Sequence, residues 1–90
     1  ARLVARMPRT TSTGTSRSTW ASDVEALTPR QREVLLLIAR GLSNTEIEVE
    51  LGITRATCRS HITALLARLD ARDRAQLVIA AYETGFISAR

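Results

Sequence analysis

The chain of 90 residues is short of several things, and each shortage excludes something. It has one cysteine, Cys58, so no internal disulfide can form, which agrees with a reducing compartment. It has one histidine, His61, no glycine-rich loop of the kind that cradles phosphate, and no carboxylate pair placed for a cleft, so an enzyme is not expected and no cofactor is implied. Cys58 and His61 give a C-x-x-H spacing, but two ligands do not make a zinc site, and no metal is expected. No apolar run approaches the ~18 residues of a membrane span. The N-terminus carries arginines but no apolar core of a secretory signal. Three aromatics, Trp20, Tyr82 and Phe86, leave a core to be built from Leu, Ile, Val and Ala. No alternation of period two marks a strand, and no internal repeat is present. Lysine is missing altogether; all 13 basic residues are arginine, which fits GC-rich coding better than a functional choice.

What remains is enough for one small domain. A hydrophobic content of 44% supports a core, but a thin one with marginal stability. The formal charge of +4 is unevenly placed. Arg2, Arg6, Arg9 and Arg17 lie in the first 22 residues with no acid among them. Residues 23–90 hold nine arginines and nine acids, so that part is formally neutral and can face DNA only if its charges are segregated. Residues 1–22 read as a flexible tail or linker: one or two amphipathic turns in residues 1–7, then a stretch of Ser, Thr, Gly and Arg with almost nothing to bury. It fits either the end of a linker to a preceding domain or a basic arm on DNA phosphates. Trp20 reads as an anchor at the domain edge.

The domain, residues 23–90, reads as all-α with four helices. Thr28, Pro29 and Gln31 combine an N-cap, a proline at the first helical position and a T-x-x-Q box. Val34, Leu35, Leu37 and Ile38 supply the buried face, and Gly41 with Leu42 closes the end. Ser43 and Glu46 form a second capping box, with Leu42 and Ile47 placed as a hydrophobic staple. Gly52 ends that helix, and Thr54 caps the next. Asp73, helped by Gln76, caps the last helix, and Gly85 ends it. A capped helix, a tight glycine turn and a second helix over residues 44–63 form a helix-turn-helix.

The second helix of that pair, about residues 55–69, carries the functional argument. At about 100° per residue, Cys58, Ile62, Leu65, Leu66 and Leu69 make one apolar stripe. Arg55, Arg59, Ser60 and Thr63 lie on its flank, with only the small Ala56 and Ala67 between. An α-helix fits the DNA major groove, where Arg bonds bidentately to guanine and Ser or Thr reaches several base edges. Alone, such a face is more often simply solvated; the capped helix and turn ahead of it favour DNA. In the last helix, about residues 74–84, Leu77, Ala80 and Ala81 face the core. Ala75, Val78, Ile79 and Tyr82 spread over a neighbouring arc wider than one buried stripe needs, which suggests a two-fold dimer surface.

These residues resemble the LuxR-type (NarL/FixJ-type) DNA-binding domain of bacterial transcription regulators. The likeness covers Leu27 to Gly85 and rests on L-T-P-R-Q-R-E-V-L, G-L-S-N-T-E-I, the L-G-I-T turn and T-C-R-S-H-I, each at its family spacing. The resemblance implies a four-helix domain acting in cytoplasmic transcription control as a homodimer on paired half-sites. It implies base contacts from Arg59, Ser60 and Thr63. It places Asn44, Thr45, Thr54 and Thr57 near phosphates, joined by Arg55 at the recognition-helix start and by His61, which combines packing with a phosphate bond. It assigns Val78, Ile79 and Tyr82 to the dimer helix. Such domains often follow a phosphorylatable receiver domain, and RNA polymerase is a further partner. Two positions depart from the family: Glu48 stands where Ala is preferred, which weighs against strong nonspecific affinity, and Cys58 stands where Val is usual. The alternatives are a helical protein-interaction module without DNA binding and the related promoter-reading domain of a sigma factor. The T-C-R-S-H run and the terminal helix favour the LuxR type over the latter.

Overall fold

The computed structural model describes residues 20–87. The tail readings on residues 1–19, including Arg2, Arg6, Arg9 and Arg17, lie outside the described residues. Five helical segments follow in order: α1 over residues 20–25, α2 Pro29–Ala39, α3 Asn44–Leu51, α4 Arg55–Arg68 and α5 Arg74–Glu83. No strand occurs among the described residues. The fold is all-α, as the pattern predicts.

Each expected helix starts on its expected cap. Thr28 Oγ1 accepts from Gln31 N at 3.1 Å while Gln31 Oε1 accepts from Thr28 N at 3.0 Å. Ser43 and Glu46 exchange the same pair of bonds at 3.2 and 2.8 Å. Asp73 accepts from Gln76 N at 3.0 Å, but the Gln76 amide oxygen takes the Arg72 N–H rather than closing a box. Such caps satisfy backbone donors that a helix start leaves free and contribute about 1 kcal/mol each. The end of α2 is a Schellman turn: Gly41 N donates to Ile38 O and Leu42 N to Leu37 O. The end of α4 repeats that pattern with Asp70 in place of glycine, at φ 51°.

Helix α2 lies at the centre, packed against α3, α4 and α5. Val34, Leu35 and Ile38 of α2 meet Ile47 of α3, Cys58 and Leu65 of α4, Leu69 after it, and Leu77, Ala80 and Ala81 of α5. Leu37, expected in this face, is only partly buried against it. The helix α1 is not among the four expected from the sequence. It is held by Trp20, only 4% exposed, whose indole Nε1 donates to Leu69 O at 2.7 Å. Ordered packing therefore reaches back at least to Trp20, ahead of the expected start at Asp23. The indole covers one of the orphan carbonyls at the end of α4, and burying its ring removes on the order of 200 Å² from water. Arg32 adds a second tie, donating to Val24 O at 2.9 Å and stacking 5.3 Å from the Phe86 ring centroid.

Candidate nucleic-acid interface

Three local features aim α4. Gly52 takes the left-handed conformation at φ 66°, and Ile53 N donates to Glu48 O at 3.0 Å, so the chain reverses within two residues. Thr54 then caps α4, its hydroxyl oxygen accepting from Thr57 N at 3.1 Å and lying 3.0 Å from the Thr57 hydroxyl. Cys58, Leu65 and Leu69 are fully buried, and Ile62 and Leu66 pack against the core beside them. With that stripe fixed inward, the opposite side of α4 has no freedom to rotate.

The outward side carries Arg55, Thr57, Arg59, Ser60 and Thr63, all exposed. Arg55, Arg59 and Thr63 follow at i, i+4 and i+8, which places them on one line along the helix. Neither Arg55 nor Arg59 forms an ion pair among the described residues, so both guanidinium groups keep their five donors. Ala56 and Ala67, also exposed, leave the strip low enough for close approach. His61 is half-buried at the edge of the stripe. The strip offers fixed hydrogen-bond donors and hydroxyls on a single straight element, which is the chemistry required at base edges and phosphates.

Asn44 and Thr45 open α3 and are exposed, as is Thr54. Asn44 is not isolated. Arg74, the first residue of α5, donates from Nη1 to Asn44 Oδ1 at 2.6 Å and from Nη2 to the Leu42 carbonyl. The sequence gives no hint of this contact, because the residues are 30 apart and Arg74 reads simply as the residue after a cap. The acids of α3 are distributed by role: Glu46 is engaged in the capping box, Glu48 is half-buried, and Glu50 is exposed. Cys58 Sγ lies 3.9 Å from the Asn44 carbonyl. Burial pushes its thiol pKa up, with Glu48 adding to the effect and Arg74 opposing it, so the thiol stays protonated and unreactive. Among the described residues no three His, Cys, Asp or Glu side chains gather as a metal site.

The three residues expected at a dimer surface occupy α5, not the α4 strip. Ile79 is 46% and Tyr82 40% exposed, while Val78 is half-buried against the core. A third exposed apolar side chain is Val49 of α3, 79% exposed in a shallow groove lined by Leu42, Thr45, Glu46 and Glu50. Residues 46–51 alternate acid and apolar, and the helix, which puts Ile47 and Leu51 on one face, turns Val49 between them outward. No helix among the described residues is long and apolar enough to cross a membrane.

Residues 25–81 match the family of bacterial regulatory proteins, luxR family. The response regulator protein VraR of Staphylococcus aureus is 44% identical over 63 residues, covering 70% of this chain and 30% of that protein. VraR of Staphylococcus saprophyticus and of Staphylococcus epidermidis show the same identity and coverage. The chain thus spans less than a third of the length of these curated relatives.

Proposed function

The chain belongs to the LuxR family of bacterial regulatory proteins, whose helix-turn-helix domains bind DNA in transcription regulation, and on that premise we propose that it binds double-stranded DNA sequence-specifically through α4. Arg59, Ser60 and Thr63 contact bases in the major groove. Asn44, Thr45, Thr54, Arg55, Thr57 and His61 contact the flanking phosphates, which set register without reading sequence. Two copies meet through Val78, Ile79 and Tyr82 and occupy paired half-sites. The observation that carries this reading is the strip on α4: two arginines without ion-pair partners among the described residues and three hydroxyls, held outward by an opposite face anchored on the fully buried Cys58 and Leu65.

In the wider protein, the chain acts as the output domain of a two-component response regulator. The matched relatives are named response regulators. The residues ahead of Trp20 serve as the linker from a receiver domain, RNA polymerase is the downstream partner, and the setting is cytoplasmic. A second reading, a helical protein-interaction module, is favoured by one feature, the exposed Val49 between the acids Glu46 and Glu50.

Selection of binders from a random duplex pool at two salt concentrations tests the main reading. Recovery of a two-fold symmetric motif, bound more weakly as salt rises, is expected. A single half-site would keep the reader and remove the dimer. Lack of enrichment at low salt would overturn DNA recognition by this chain and favour the interaction module.

A further inference from the structure

We propose that Arg74 is a positioning residue that holds the side-chain amide of Asn44 with its N–H₂ end outward, as a donor to a DNA backbone phosphate. This rests on the DNA-binding reading above. The Arg74 guanidinium spans the start of α3, with Nη1 on Asn44 Oδ1 at 2.6 Å and Nη2 on the Leu42 carbonyl. A guanidinium has five donors and no acceptor, whereas an asparagine amide has one acceptor oxygen and one N–H₂ group. Only the oxygen of Asn44 can face Arg74. The ambiguity between the two ends of an amide is thereby removed by chemistry. The end left for a ligand is the N–H₂.

That orientation matters because a phosphate oxygen only accepts. A flipped amide would turn its oxygen to the phosphate and its N–H₂ to the guanidinium, giving two repulsive contacts for two attractive ones. Asn44 is exposed, so the outward end is accessible. Arg74 is half-buried and committed to the protein by two bonds, which marks it as a brace rather than as the phosphate ligand. The same brace ties the first turn of α5, the helix assigned to dimerisation, to the first turn of α3. The α3 start is thus held from two sides, by its own capping box and by Arg74.

The test uses the full 90-residue chain with Asn44→Asp, Asn44→Ala, Arg74→Gln and the double variant Asn44→Ala/Arg74→Gln. Each is measured for thermal midpoint and for affinity to the duplex selected above. Asn44→Asp keeps an oxygen for Arg74 but replaces the outward donor with an anionic oxygen. Its midpoint is expected to hold or rise while affinity falls about 10-fold or more. The added charge repels phosphate in any case, so the cycle with Arg74→Gln is the readout that separates a positioning role from a structural one. Arg74→Gln is expected to weaken binding about 5-fold in the wild-type background and less than about 2-fold in the Asn44→Ala background, since neighbours acting through one contact are not additive. Wild-type affinity in Asn44→Asp, or equal losses from Arg74→Gln in both backgrounds, would overturn the proposal while leaving DNA binding intact. A wild-type chain that binds no duplex overturns the functional reading itself, and this inference with it.

Discussion

Asp70 shows how one residue can be held against its preference. It occupies the left-handed position that ends α4, at φ 51°, where glycine has no steric cost and Asp is tolerated with some strain. Its carboxylate also sits at the negative end of a helix dipole. Asp70→Gly is therefore expected to stabilise the fold by about 0.5–1 kcal/mol, raising the thermal midpoint by about 3 °C or more. A lowered midpoint would show that the Asp70 side chain stabilises the turn. Trp20 presents the opposite case, a residue well suited to its place. Trp20→Phe keeps most of the ring but strips the 2.7 Å bond to the Leu69 carbonyl, leaving a buried acceptor unpaired. A loss of about 1–3 kcal/mol in denaturant unfolding is expected. The anchoring role of Trp20 is legible from sequence, but its partner and the role of Asp70 are not. The left-handed turn at Asp70 lacks the usual glycine, and the indole's partner is 49 residues away.

At the scale of the element, the sequence is far more informative. The capping boxes at Thr28 and Ser43, the caps at Thr54 and Asp73, and the turns at Gly41, Gly52 and Gly85 all form where local spacing predicts. These signals act within three or four residues, so no tertiary context is needed to read them. The apolar stripe of α4 is equally local, and it alone fixes which side of the helix faces outward. The segment α1 escapes for the converse reason: Trp20 and Val24 hold it through long-range contacts. The Arg74 brace escapes likewise. Gly52 gives the sharpest test of element geometry. A Cβ there would meet nothing within 4 Å, so any cost of Gly52→Ala is conformational. About 1 kcal/mol of destabilisation is expected from the left-handed φ of 66°. The turn between α3 and α4 is tight, so duplex affinity should fall as well. Full stability with full affinity in that variant would mean that the turn relaxes without moving α4.

At the scale of the whole molecule, charge is segregated rather than abundant. Residues 23–90 are formally neutral, yet all three arginines of α4 are exposed while one of the three acids of α3 is tied into a cap. Affinity is therefore expected to depend on the α4 strip and not on a general basic field. The proposed dimerisation is expected to be separable from folding on the same logic. Ile79 is 46% exposed, so Ile79→Asp should leave the thermal midpoint nearly unchanged. Binding to one half-site should survive, while cooperative occupancy of two half-sites, read by sedimentation of the complex, is lost. Retained two-site cooperativity would move the dimer contact away from α5.

The central claim, that α4 reads sequence, is tested most directly at Arg59. Wild type and Arg59→Ala are titrated at one salt concentration against the selected duplex and against a scrambled duplex of the same composition. Loss of a bidentate base contact predicts a fall in the ratio of the two affinities of about 10-fold or more, with a smaller change on the scrambled duplex. Equal losses on both duplexes, or no loss on either, would contradict the account, because Arg59 would then supply only charge or nothing at all.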